Sequence, residues 1–166
     1  MKAIRLFVII FTLAFLNVSC EKDPTVDYSP IFPISGEWKV QVKDAATGNL
    51  IVATKYIIGT YNTSDNSTTQ MWIRCTSSGF PAGGALRGKI NVDVPTKTFS
   101  GSNIPDLASA AGTTFTITNG SVILNGATTP SGYKADKISF TYQTTKKPGV
   151  TYLVEGYRRT MWPEDE

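Results

Sequence analysis

The chain has 166 residues, with 16 Lys and Arg against 13 Asp and Glu, two Cys and no His. A formal charge of +3, with no basic tract, gives a nucleic-acid partner nothing to hold. The missing His removes the usual general base, any Ser-His-Asp triad and any His-centred zinc site.

Lys2 and Arg5 precede an apolar run from Leu6 to Leu16, and small Ser19 leads into Cys20. A membrane span needs about 20 apolar residues, so this shorter run reads as a cleaved signal peptide over residues 1–19. "LNVSC" resembles a lipobox, with Asn17 where Leu is usual, and makes Cys20 the predicted lipid-attachment residue and new N-terminus. Several acyl chains, each contributing about 0.8 kcal/mol per buried methylene, would hold the chain to a membrane permanently. Residues 20–34 then form the expected tether, since "EKDPTVDYSP" carries two prolines and three acids and little that can be buried. "CEKD" also resembles the Lys-acidic signal of Bacteroidetes surface lipoproteins. The expected location is the cell envelope, as an outer-membrane lipoprotein facing the periplasm or the exterior. With Cys20 acylated, Cys75 has no disulfide partner, and packing must stabilise the domain over residues 35–166; a Cys20–Cys75 disulfide would require the lipobox reading to be wrong.

Within that domain, β-branched and aromatic residues recur at period two between turn residues, the pattern of strands. "EWKVQVK" sets Trp38, Val40 and Val42 on one face and Glu37, Lys39, Gln41 and Lys43 on the other. A long apolar run follows from Leu50 to Tyr61, then "TTQMWIRCT", then "ALRGKINVDV" with Leu86, Ile90, Val92 and Val94 alternating with polar residues. A short strand is expected near Phe99. In "NIPDLASAAG", Asn103 as cap, Pro105 in the first turn and Gly112 as stop predict one short helix. "TTFTITNGSVIL" predicts two strands joined by a tight Asn119-Gly120 turn. "DKISFTYQT" and "GVTYLVEGYRR" complete eight or nine strands.

Short turns join antiparallel neighbours, so the fold class is all-β. The expected architecture is an antiparallel up-and-down barrel with one short helix, with a two-sheet sandwich as the alternative. A barrel of about eight strands holds either its own side chains or one small ligand.

Gly36-x-Trp38 at the head of the first strand resembles the start of lipocalins and other calycins. That resemblance implies a Trp closing one end of the barrel with a basic side chain from the last strand across it. Tyr152, Val154, Gly156 and Arg158 share one face, so Arg158 is the expected partner of Trp38. "SGEWKV", "YLVEGYRRTMWPEDE" and the lipoprotein head together resemble the Bacteroidetes lipoproteins called lipid-binding putative hydrolases, which implies a calycin-like barrel and a hydrophobic ligand.

The residues themselves favour binding over catalysis. No G-x-S-x-G elbow occurs. A glycosidase needs two facing carboxylates, and Asp93, Asp136, Glu37 and Glu155 are all expected to point outward. No cofactor or metal is called for. In "QMWIR", inward Trp72 and Arg74 would offer a lumen a positive charge for a fatty-acid carboxylate, whereas inward Met71, Ile73 and Cys75 would leave them on the surface; the second arrangement is the cheaper, because an isolated buried Arg is costly. Tyr142 and Tyr152 share faces with Phe140 and Val154 and are further ligand candidates. The preferred function is a lipid-anchored carrier of a small hydrophobic ligand. The alternatives are an accessory lipoprotein acting through an envelope protein partner, and a glycan binder stacking sugar on Trp72 or Trp162; a hydrolase ranks last.

Overall fold

A computed structural model describes residues 26–166. The signal peptide, Cys20 and the first part of the tether lie outside the described residues. Eight strands form one closed barrel: β1 (Gly36–Asp44), β2 (Tyr56–Asn62), β3 (Gln70–Cys75), β4 (Leu86–Asp93), β5 (Thr98–Pro105), β6 (Thr114–Thr128), β7 (Lys134–Thr144) and β8 (Tyr152–Arg158). Each pairs antiparallel with its sequence neighbour, and β8 returns to β1 from Trp38↔Arg158 to Asp44↔Tyr152. That last ladder excludes the sandwich and leaves no free sheet edge.

Period-two alternation builds the core. Trp38, Val40 and Val42 of β1 point inward with Met71, Ile73 and Cys75 of β3, Leu86 and Ile90 of β4, and Ile138, Phe140 and Tyr142 of β7. The interior is filled. Trp38, Tyr142, Phe115 and Phe140 are among the largest fully buried side chains, and the Phe99 and Phe140 rings meet at 5.7 Å. A preformed hollow, which the carrier reading calls for, is replaced here by aromatic packing.

Four expectations give way. Asn119-Gly120 does not turn a hairpin; it lies inside the 15-residue β6, where the pairing slips between Thr118 and Ser121. The positive φ that suits Asn to a tight turn, here 54°, serves a β-bulge equally well. The helix expected over "NIPDLASAAG" is absent: β5 continues to Pro105, Asn103 takes φ 52°, and Asp106 Oδ1 accepts the Ala108 N–H to turn the chain. The run from Leu50 contributes only a bridge to Lys43 before β2 begins at Tyr56, and Leu50 and Ile51 stay exposed. The tether ends early, because Ile31 and Ile34 are fully buried in the barrel core.

The two barrel mouths differ. The terminal end holds the start of β1, the finish of β8 and the Ser29–Ile34 turn. The lid end holds the long connections, including the glycine-rich β3–β4 loop, residues 76–85, whose Phe80 is buried.

Candidate functional site

The terminal end is sealed. Trp38 is fully buried, and its Nε1 donates to Thr60 Oγ1 at 2.8 Å, which in turn donates to the Ile34 carbonyl at 2.7 Å. The Arg158 guanidinium carbon lies 4.4 Å from the Trp38 ring centroid. Its Nε donates to Asp136 Oδ2 at 2.9 Å, Nη1 to the Ser35 carbonyl at 2.6 Å, and Nη2 to the Pro33 carbonyl. Gly36 makes room for this arrangement. It has φ 152°, and a Cβ there would overlap the guanidinium of Arg158. A cation over an indole adds about 0.5–2 kcal/mol; this cluster is closure, with all three guanidinium nitrogens donating.

The lid end has different chemistry. Tyr142 is fully buried on β7, its ring 5.8 Å from Phe115, 6.2 Å from Phe80 and 6.4 Å from Tyr152. Phe80 sits edge-on to Tyr56 at 5.5 Å, so the loop inserts an aromatic plug between strand residues. No hydrogen bond of good geometry reaches the Tyr142 hydroxyl among the described residues, the Thr144 hydroxyl being close enough only to temper the rise of its pKa. Burial pushes the Tyr142 phenol well above its ordinary pKa, and Tyr152 likewise up, so both stay neutral hydroxyls. A buried hydroxyl left unpaired costs about 1–3 kcal/mol.

A latch holds the lid. Lys146 Nζ donates to the Ala85 carbonyl at 2.7 Å, to Asp106 Oδ2 at 2.8 Å and to Ser109 Oγ at 3.0 Å, joining the β3–β4, β5–β6 and β7–β8 connections. Burial alone would raise the Asp106 pKa, but Lys146, the Arg87 N–H, Ser109 and the Ala108 N–H outweigh it and hold the carboxyl below its usual range. Beside the latch a groove of about 310 Å³ crosses the barrel rim, lined by Arg74, Cys75, Leu86, Arg87, Leu107 and neighbours.

Trp72 and Arg74 lie on the outer face, with Met71, Ile73 and Cys75 inward. An inward Arg would need a buried counter-charge, and the cheaper parity prevails. Arg74 stacks over Tyr61 at 5.6 Å and Lys89 over Trp72 at 5.5 Å. Arg74 nevertheless reaches the rim groove. Tyr142 and Tyr152 face inward together.

Of the carboxylates considered for catalysis, Glu37, Glu155 and Asp93 point outward, whereas Asp136 departs from the outward expectation: it shares the inward parity of Ile138 and Phe140 and reaches Arg158 at the terminal mouth. Glu37 pairs with Arg159 at 2.9 Å, Asp136 with Arg158, and Glu155 with Lys43 at 2.8 Å and Lys137 at 3.1 Å, while Asp93 accepts the Thr96 N–H. Lys43 first, then Lys137, holds Glu155 below the ordinary carboxylate range. Cys75 is buried, and that burial pushes its thiol up, away from a nucleophilic thiolate.

Sequence reasoning missed Phe80, Thr60 and the Asp106–Lys146 latch. "FPAGG" carried a signal in its aromatic beside turn glycines; the latch joins residues 40 apart and left none.

Among curated proteins none matches the chain. One family model, described as lipid-binding putative hydrolase, matches residues 23–163. With a closed β-barrel whose buried aromatic end carries an unpaired hydroxyl, a lipid-binding role fits both fold and family: the chain belongs to the lipid-binding putative hydrolase family.

Proposed function

We propose that this is a lipid-anchored protein of the cell envelope that takes a small hydrophobic ligand into the lid end of its barrel and performs no chemistry on it. The Tyr142 hydroxyl among aromatic rings carries this reading: a polar atom poorly partnered in an apolar chamber gains a partner when opening admits a ligand's oxygen or the water that enters with it. Phe80 occupies the place the ligand takes. Opening needs the loop to swing about its turn residues, and Gly83 and Gly84 hold φ of 98° and 83° there. The ligand's differential affinity for the open state drives the exchange. Non-catalytic action is supported by the absence of His from the chain, the buried thiol and the ion-paired carboxylates.

Protein purified from its host and denatured should release bound lipid detectable by mass spectrometry. A barrel recovered empty with a protein partner attached would instead support the accessory role. Anchoring is tested by fatty-acid labelling of the chain, which Cys20→Ser should abolish.

A second reading has its own observation. At the terminal end a groove of about 340 Å³ is lined by Tyr133, Arg158 and Trp162, and the two aromatics are exposed enough to stack on a sugar. Glycan-array binding lost in Trp162→Ala would favour it.

A further inference from the structure

Arg74 and Arg87 stand directly opposite each other on β3 and β4, both on the outer face. Like charges in register destabilise a sheet, by up to about 1 kcal/mol. Neither guanidinium forms an ion pair among the described residues. The adjacent carboxylate offers no relief, because Asp106 gives Oδ1 to the Arg87 backbone N–H and Oδ2 to Lys146. Lys89 extends the positive strip along β4. Elsewhere on the barrel the arginines are satisfied: Arg158 and Arg159 each hold carboxylates.

The pair also has an apolar neighbour. Both arginines line the rim groove with Leu86 and Leu107, and Leu107 is half exposed although its chemistry favours burial. Two cations at one side and a greasy channel beside them match an amphiphile with an anionic head.

Resting on the lipid-binding reading above, we infer that the ligand is a single-chain amphiphile with an anionic head, carboxylate or phosphate, which Arg74 and Arg87 clamp while its acyl chain passes over Leu107 and Ala108 toward Phe80. Guanidinium groups suit either head, since their paired N–H donors match two oxygens of one anion. The repulsion in the empty protein becomes attraction shared by one anion in the complex.

The test uses the purified full chain carrying Cys20→Ser and three probes with the same oleoyl chain, each below its micelle concentration: oleate, oleoyl lysophosphatidate and uncharged monoolein. Wild type should bind at least one anion about tenfold or more tighter than monoolein, a difference of about 1.4 kcal/mol. A tighter oleate identifies a carboxylate head, a tighter lysophosphatidate a phosphate head. The double variant Arg74→Gln/Arg87→Gln should lose that preference while its melting temperature holds or rises. Equal binding of all three probes by wild type, or a preference that survives in the double variant, would overturn the clamp and leave lipid binding standing. Binding of none would overturn the lipid-binding reading itself.

Discussion

Gly36 decides where Arg158 can lie, and through it how Trp38 is covered. Its φ of 152° and the overlap that a Cβ would make with the guanidinium work in the same direction. Gly36→Ala should therefore destabilise the protein by about 1–3 kcal/mol in urea unfolding and change the near-ultraviolet dichroism of the Trp38 indole. Tyr142 sets the opposite expectation. Tyr142→Phe deletes a buried hydroxyl that has no partner, so the ligand-free melting temperature should rise, by up to about 1–3 kcal/mol of stability, while lipid affinity falls. A Tyr142→Phe protein that loses stability would show the hydroxyl to be satisfied in the empty barrel. At this scale the sequence was informative about single residues. Gly-x-Trp and strand parity pointed to Trp38 and Arg158. Their partners were invisible, because the Ser35 and Pro33 carbonyls lie more than 120 positions from Arg158.

Elements show where local chemistry is ambiguous. Asn-Gly announces a positive φ, and both a hairpin turn and a bulge use one, so the dipeptide alone cannot say whether the chain reverses or continues. Gly120 is needed at the bulge for a second reason: a Cβ there would overlap the ring and carbonyl of Phe99. Gly120→Ala should cost about 1–3 kcal/mol by thermal unfolding, as overpacking of a core does. "NIPDLASAAG" has cap and stop residues for a helix, yet Asp106 is committed to the β3–β4 and β7–β8 neighbours instead. Tertiary contacts overrode local preference there. The latch is also sensitive to pH. Its folded carboxyl titrates below the ordinary 3.8, so its contribution is present above that value and is lost as the pH falls through the lower folded one. Hydrogen-exchange protection of residues 76–85 should drop across that acid range in wild type. In Asp106→Asn it should be low already at neutral pH and change little further, with the Trp38 end unaffected.

The whole molecule is a closed sheet with unlike ends. Strand alternation and short turns made the antiparallel meander legible, the resemblance at Gly36-x-Trp38 favoured a barrel over a sandwich, and the alternation placed Met71, Ile73 and Cys75 in the core. Whether the interior was hollow was not legible, since an inward Phe can line a cavity or fill it, and only packing decides. The structure fills it. The terminal end spends its polar groups on closure, whereas the lid end keeps an unpaired hydroxyl beneath an aromatic plug fastened by one ion pair. On the proposed function the working end is the lid, and ligand entry is an exchange of one apolar group for another. Nuclear Overhauser contacts between a carbon-13-labelled acyl chain and the protein test this most directly. The account predicts contacts from the chain to the rings of Phe80, Tyr142 and Tyr152. Contacts confined to Tyr133 and Trp162 at the other end, or to the outer face alone, would contradict it.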